Sequence, residues 1–104
     1  MEDKQYKVRI LPLFEEDLND AVDYISQTLK NSNAALRLID SVQNAIEKRA
    51  WQAESFEPFR STKERRYSYY RIYVKNYIIF YVVMDDIMEV RRLLYNRKNY
   101  EGTL

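Results

Sequence analysis

Chemistry in this chain falls to arginine, lysine and tyrosine. Its 104 residues include no histidine and no cysteine. That removes the common nucleophile–base pairs and the usual zinc sites. The one glycine is Gly102, so there is no glycine-rich phosphate loop and no dinucleotide fingerprint. Carboxylates cluster at Glu15-Glu16-Asp17 and at Asp85-Asp86. The first cluster reads as the opening turn of a helix and the second as a hairpin tip. Neither sits on converging elements, as a general acid/base pair must, and neither metal nor cofactor is expected. The residues that remain suit an anionic partner. Arginine grips phosphate through a bidentate fork, lysine supplies a point charge, and tyrosine rings stack on bases.

These residues gather late in the chain. Residues 67–100 hold eight of the ten tyrosines, together with Arg71, Lys75, Arg91, Arg92, Arg97 and Lys98. The net charge of +1 conceals the same polarity. Residues 1–59 carry seven Lys/Arg against eleven Asp/Glu, and residues 60–104 carry ten against five. The later part should therefore meet nucleic acid or an acidic protein segment. On a strand, residues two apart share a face. Arg71, Tyr73 and Lys75 thus point together, opposite Ile72 and Val74, and this basic face is expected to lie open beside Arg92 and the Arg97-Lys98 tail. An open sheet face with cations and rings can grip a nucleic-acid backbone.

The elements that must hold these residues follow from periodicity. Tyr6-Lys7-Val8-Arg9-Ile10 alternates apolar with basic, the pattern of a strand covered on one face. Pro12 stops it near a helix entry. Over residues 14–30, Phe14, Leu18, Ala21, Val22, Ile25 and Leu29 form one stripe of an amphipathic helix. Residues 31–33 break the pattern, and Asn33 is the expected N-cap of a second helix reaching about Trp51. So short a connection folds the two helices into an antiparallel hairpin. Residues 52–64 read as a connector pinned by Phe56, Pro58 and Phe59.

Three strand-like runs follow, rich in Tyr, Ile, Val and Phe. Lys75-Asn76 and Asp85-Asp86 divide them, with Asn76 expected in the left-handed conformation of a tight turn. The middle run, residues 77–84, has no charge and should be covered on both faces. The last breaks alternation at Arg91-Arg92 and Leu93-Leu94, where a bulge or a change of covering is expected. The fold class is α+β in the order β-α-α-β-β-β. An N-terminal strand, a two-helix hairpin and a three-stranded antiparallel meander form one domain over 1–104, with the helices on one face of an antiparallel sheet of about four strands. No segment is long and apolar enough to cross a bilayer, and the first residues lack signal-peptide character. A cytoplasmic protein is expected.

The opening YKVRILPLFEEDL, the helical hairpin, the aromatic connector, YRIYVKNYIIFYVV and the ending RRLLYNRKNYE together resemble the RelE/ParE superfamily of bacterial type II toxins. The resemblance runs almost the whole length. It implies a small cytoplasmic toxin of a plasmid-stabilisation module that inhibits growth until a cognate antitoxin wraps and silences it. A homodimer or a toxin–antitoxin heterotetramer fits that role. RelE-like members cut mRNA on the ribosome without metal, using Lys, Arg and Tyr. For that mRNA interferase activity the resemblance points to Arg97, Lys98 and Tyr100 as the catalytic set. ParE-like members inhibit DNA gyrase, and the target-binding residues would then be Arg71, Tyr73, Lys75, Arg92, Arg97 and Lys98. An arginine that the ribonuclease type carries early in the central strand falls here at Ile78. The resemblance therefore leans to gyrase, with the ribosome-dependent endoribonuclease as the alternative.

Overall fold

The computed structural model describes residues 4–59, 66–96 and 102–104. Strand β1 (Lys7–Ile10) leads into helix α1 (Pro12–Asp23), which widens into a π-helical turn (Tyr24–Thr28). Helix α2 (Ser32–Arg49) follows, then strands β2 (Tyr70–Val74), β3 (Tyr77–Met84) and β4 (Ile87–Tyr95). Pro12 opens α1, where its missing N–H costs nothing. The cap of α2 is Asn31 rather than Asn33: the Asn31 side chain accepts from the Ala34 N–H at 3.0 Å. Either asparagine of Asn31-Ser32-Asn33 could cap. The chain turns at Lys30, which has φ 52°, and that places Asn31 at the boundary.

The sheet runs in the order β1-β4-β3-β2. The three later strands form the expected antiparallel meander. The first does not follow suit, because β1 pairs with β4 in parallel, Lys7 beside Ile87 and Ile10 beside Val90. The sheet is mixed, which corrects the expectation of an antiparallel one. The helical hairpin explains the direction. It returns the chain to the start of β1, where the Tyr6 N–H donates to the Ala50 carbonyl at 2.7 Å. From there β2 sets off the way β1 did, and two tight hairpins restore that direction in β4.

Both turns place their first residue in the left-handed region, Lys75 at φ 53° and Asp85 at φ 55°, so Lys75 and not the expected Asn76 takes that conformation. The expected bulge is present. Phe80 faces Arg92 and Tyr81 faces Val90, so Arg91 is the unmatched residue on β4. α1 lies on β4 and α2 on β2. Their apolar stripes, including Phe14, Ala21, Leu38, Val42 and Ile46, bury Ile72, Val74, Ile79, Tyr81, Met88 and Val90. The opposite face is covered as well. Tyr69, Ile78, Phe80, Val82 and Leu94 form a second cluster there, roofed by Phe59, Tyr67, Met84 and Leu104. Residues 78–82 of β3 are therefore buried throughout, as their lack of charge implied.

Candidate functional site

Two surfaces compete for the role, one on each side of the sheet. Away from the helices, cations and rings alternate across the strands. The Arg71 guanidinium lies 5.0 Å from the centre of the Phe59 ring and 5.9 Å from that of Tyr73. Phe59 and Tyr69 both meet Phe80 edge-on, at 6.0 and 6.1 Å. Arg91 lies 5.8 Å from the Tyr69 ring and donates to Glu89 Oε1 at 2.8 Å. Arg9 donates to the other oxygen of that carboxylate at 3.1 Å. Glu89 is buried. Burial pushes its carboxyl upward, but the hydrogen bonds from Arg91 and Arg9 outweigh this and hold it below the usual range. Burial acts against the Arg91 charge too, and its bonds to Tyr69 and Glu89 keep its pKa above the ordinary value. Each described cation in this strip, Arg9, Arg71 and Arg91, is already engaged by a ring or a carboxylate.

The residues singled out from sequence are divided among several places. Arg71 and Tyr73 share the face away from the helices, as their spacing required, and Tyr73 is 60% exposed. Lys75 leaves that face, because as a left-handed turn residue it borders the helix side instead. Arg92 is not on an open face. Its Nε and Nη2 bind the two oxygens of Asp17 at 2.8 and 3.0 Å. That ion pair is largely buried, with side chains 17% and 12% exposed. The open basic face expected from the alternation is thus corrected, since its centre is roofed by the second cluster. Arg97, Lys98 and Tyr100 lie outside the described residues.

Sequence reasoning missed Asp17. Beyond the end of β1, the edge of β4 is left without a neighbouring strand, and α1 runs beside it. There Asp17 Oδ2 also accepts the Leu93 backbone N–H at 3.0 Å. One carboxylate thus satisfies the strand edge and the arginine next to it, through a fork-to-fork contact. The only signal was an aspartate one turn into α1, which the helix dipole explained equally well. Glu89 was likewise unforeseen. Its signal was a lone carboxylate in the apolar run Ile87-Met88-Glu89-Val90, two residues from Arg91.

The second surface lies on the helix side. A groove of about 670 Å³ opens beside the π-helical turn, between the two helices and the ends of the strands. Ala21, Ala34, Leu38 and Leu93 floor it, Tyr24, Ile25, Leu29, Tyr77 and Tyr95 wall it, and Asp17, Asp20 and Lys75 stand at its rim. Single π-turns within helices often mark such sites. Tyr24 and Leu29 are more than half exposed, and Tyr95 is 42% exposed. Large apolar side chains in that number at one cleft fit the apolar face of an amphipathic helix.

The comparisons decide the family. Residues 8–100 match the family model described as the ParE toxin of the type II toxin-antitoxin system parDE. The chain belongs to the ParE toxin family. A ParE-type fold is also what the solved structures share with it. The chromosomal ParDE system from P. aeruginosa superposes with a TM-score of 0.70 at 11% identity, over 88% of this chain and 96% of that one. The archaeal RelE–RelB complex from Pyrococcus horikoshii gives 0.53 at 17% identity, over 90% and 98%. At these identities the likeness speaks for the fold alone. No curated sequence matches the chain. Among the described residues of this ParE-family chain, no helix is long and apolar enough to cross a membrane.

Proposed function

We propose that this protein is the toxin of a type II pair and acts in the cytoplasm by binding DNA gyrase rather than by cutting RNA. The observation that carries this reading is Ile78. The superfamily resemblance calls for a phosphate-gripping arginine there in the ribonuclease type. Ile78 is wholly buried, in the cluster of Tyr69, Phe80, Val82 and Leu94. An arginine in its place would be an unpaired charge in an apolar core. Of the described cations on β4, Arg92 is held by Asp17 and Arg91 by Glu89. Losing one preorganised charge from such a site costs on the order of 10²–10³ in rate.

The same reading gives the groove to the antitoxin. The family and the ParDE and RelE–RelB neighbours are all toxin–antitoxin systems, and the groove's walls suit an amphipathic helix with apolar anchors one turn apart. Arg71, Tyr73 and the basic tail would remain for the target. Induced expression tests the proposal, with primer extension on cellular mRNA and a supercoiling assay on purified gyrase run in parallel. Inhibited supercoiling with intact mRNA is expected. Codon-phased cuts with normal supercoiling would overturn it, and Tyr100→Phe would then abolish the cutting.

A further inference from the structure

The sheet's two edges are finished differently. At β2, the Tyr69 carbonyl takes the Phe59 N–H, and the Arg71 carbonyl takes Arg49 Nη1 at 3.1 Å. At β1 the inner bonds are regular. The Lys7 N–H donates to the Asp86 carbonyl at 2.8 Å, and the Leu11 N–H to that of Val90 at 3.0 Å. Alternate residues of a parallel strand address the same neighbour. Val8 and Ile10 therefore turn their N–H and C=O groups outward. Among the described residues, no side chain or loop is bonded to them.

Their side chains are uncovered too. The register sets Val8 beside Met88 and Ile10 beside Val90, on the helix side. Met88 and Val90 are fully buried, whereas Val8 is 42% and Ile10 36% exposed. The helices stop short of this strand, α1 lying on β4 and α2 on β2. An edge strand is ordinarily guarded by unpaired charge. Here the charges are partly answered from within: Arg9 shares Glu89 with Arg91, at 3.1 and 2.8 Å, and Lys7 lies 3.8 Å from Asp86.

We infer that β1 pairs antiparallel with β1 of a second copy, across a two-fold axis at Arg9, so that two four-stranded sheets join into one. The outward groups fix the register. Val8 faces Ile10 of the second copy and exchanges both backbone bonds with it, and symmetry repeats the exchange. Every outward group of Val8 and Ile10 is then satisfied. The same pairing brings two β-branched pairs together on the helix side, in the gap left by the helices. The arginines that meet at the axis each keep a bond to a Glu89 carboxylate, which Arg91 shares. A foreign acidic strand would instead have to displace Glu89 and Asp86. So short an edge buries less than the roughly 1,200 Å² of standard interfaces, so the dimer is weak and reversible.

Sedimentation equilibrium of the purified full chain tests this. The average mass should rise from 12.7 kDa toward twice that value with concentration. Val8→Pro removes an outward N–H and none of the bonds to β4. It should keep the mass at the monomer value with an unchanged circular dichroism spectrum. Should that variant not fold, a second measurement stands alone. The chain has no cysteine, and opposed Cα atoms at a non-hydrogen-bonded pair lie about 4.5 Å apart, within disulfide reach. Arg9→Cys should therefore oxidise to a covalent dimer at least ten times faster than Leu36→Cys, on an exposed face of α2. A monomeric mass at every concentration, a dimer that survives Val8→Pro, or equal oxidation of the two cysteine variants would each overturn the inference. So would a Val8→Pro variant that loses antitoxin binding while the unmodified chain never self-associates, because the edge would then take a foreign strand.

Discussion

The two faces of the sheet carry the same kinds of residue in opposite conditions. Away from the helices, Arg9, Arg71 and Arg91 are bound to rings and carboxylates, and the aromatic cluster beneath them is closed. On the helix side, Tyr24, Leu29 and Tyr95 stand half open around a cleft. Charge that is already paired contributes to folding, whereas exposed apolar surface is available for binding. The difference teaches that a basic residue in sequence is not a basic surface. Under the proposed function, the surface that takes the partner is the one that looks like ordinary core.

The contrast makes substitutions on the closed face costly in stability and those in the groove costly in affinity. The largest effect is expected from Phe80→Ala, which empties the centre of the closed cluster. It should lower stability by about 3–5 kcal/mol in urea unfolding. Asp17→Ala comes next, because it strands Arg92 and the Leu93 N–H together. About 2–4 kcal/mol is expected, near the lower end for half of a buried pair, since both partners keep some solvent. Combined with Arg92→Leu, it should recover part of that loss, and full additivity in the double-mutant cycle would deny the coupling.

Titration sharpens the same contrast. The lowered Glu89 pKa makes its network stabilising above the ordinary value of 4.5, and that stability fades as pH falls through the depressed value. Glu89→Gln should flatten the acid limb of a stability–pH profile. Tyr6 works at the other end, where its 2.6 Å bond to Glu54, with burial, pushes its pKa up to about 12. That contribution is whole below pH 10 and disappears as pH rises through about 12, a limb that Tyr6→Phe should remove. Asn31→Ala deletes the cap of α2 and should cost about 1 kcal/mol in thermal unfolding. The smallest change in stability belongs to Leu29→Asp, within about 0.5 kcal/mol because the side chain is largely exposed. The same variant should weaken antitoxin binding at least tenfold by calorimetry. If affinity holds and stability falls, the roles assigned to the two faces are reversed.

Much of the fold was legible because its signals were periodic. The uncharged run of β3 and the broken alternation at Arg91 are honoured by the structure, and the stripe from Phe14 to Leu29 is honoured as far as Ile25, with Leu29 standing exposed. Strand direction was not legible. The pattern of β1 is the same whether it pairs in parallel or antiparallel, and only the return of α2 to Tyr6 decides. Arg92 could not be placed either. Its alternation assigned it to a face, but a bulge, a free strand edge and a helix 75 residues away in sequence meet there. Phe59 was read as an anchor of the connector, and it is one. That Phe59 of the connector would roof the centre of this face was not visible, because covering depends on where a loop lies and not on its composition.

The place of β4 in the sheet has a bearing on synthesis. It is the strand to which both β1 and β3 are hydrogen-bonded, and it is made after both. Its ties to Arg9 and Asp17 join residues 80 and 75 positions apart. Contacts that distant slow folding, because the intervening chain must be ordered before they reward it. A chain without β4 can keep α2 against β2 but has no strand to join β1 to the rest of the sheet. The sheet can therefore close only once β4 has been made.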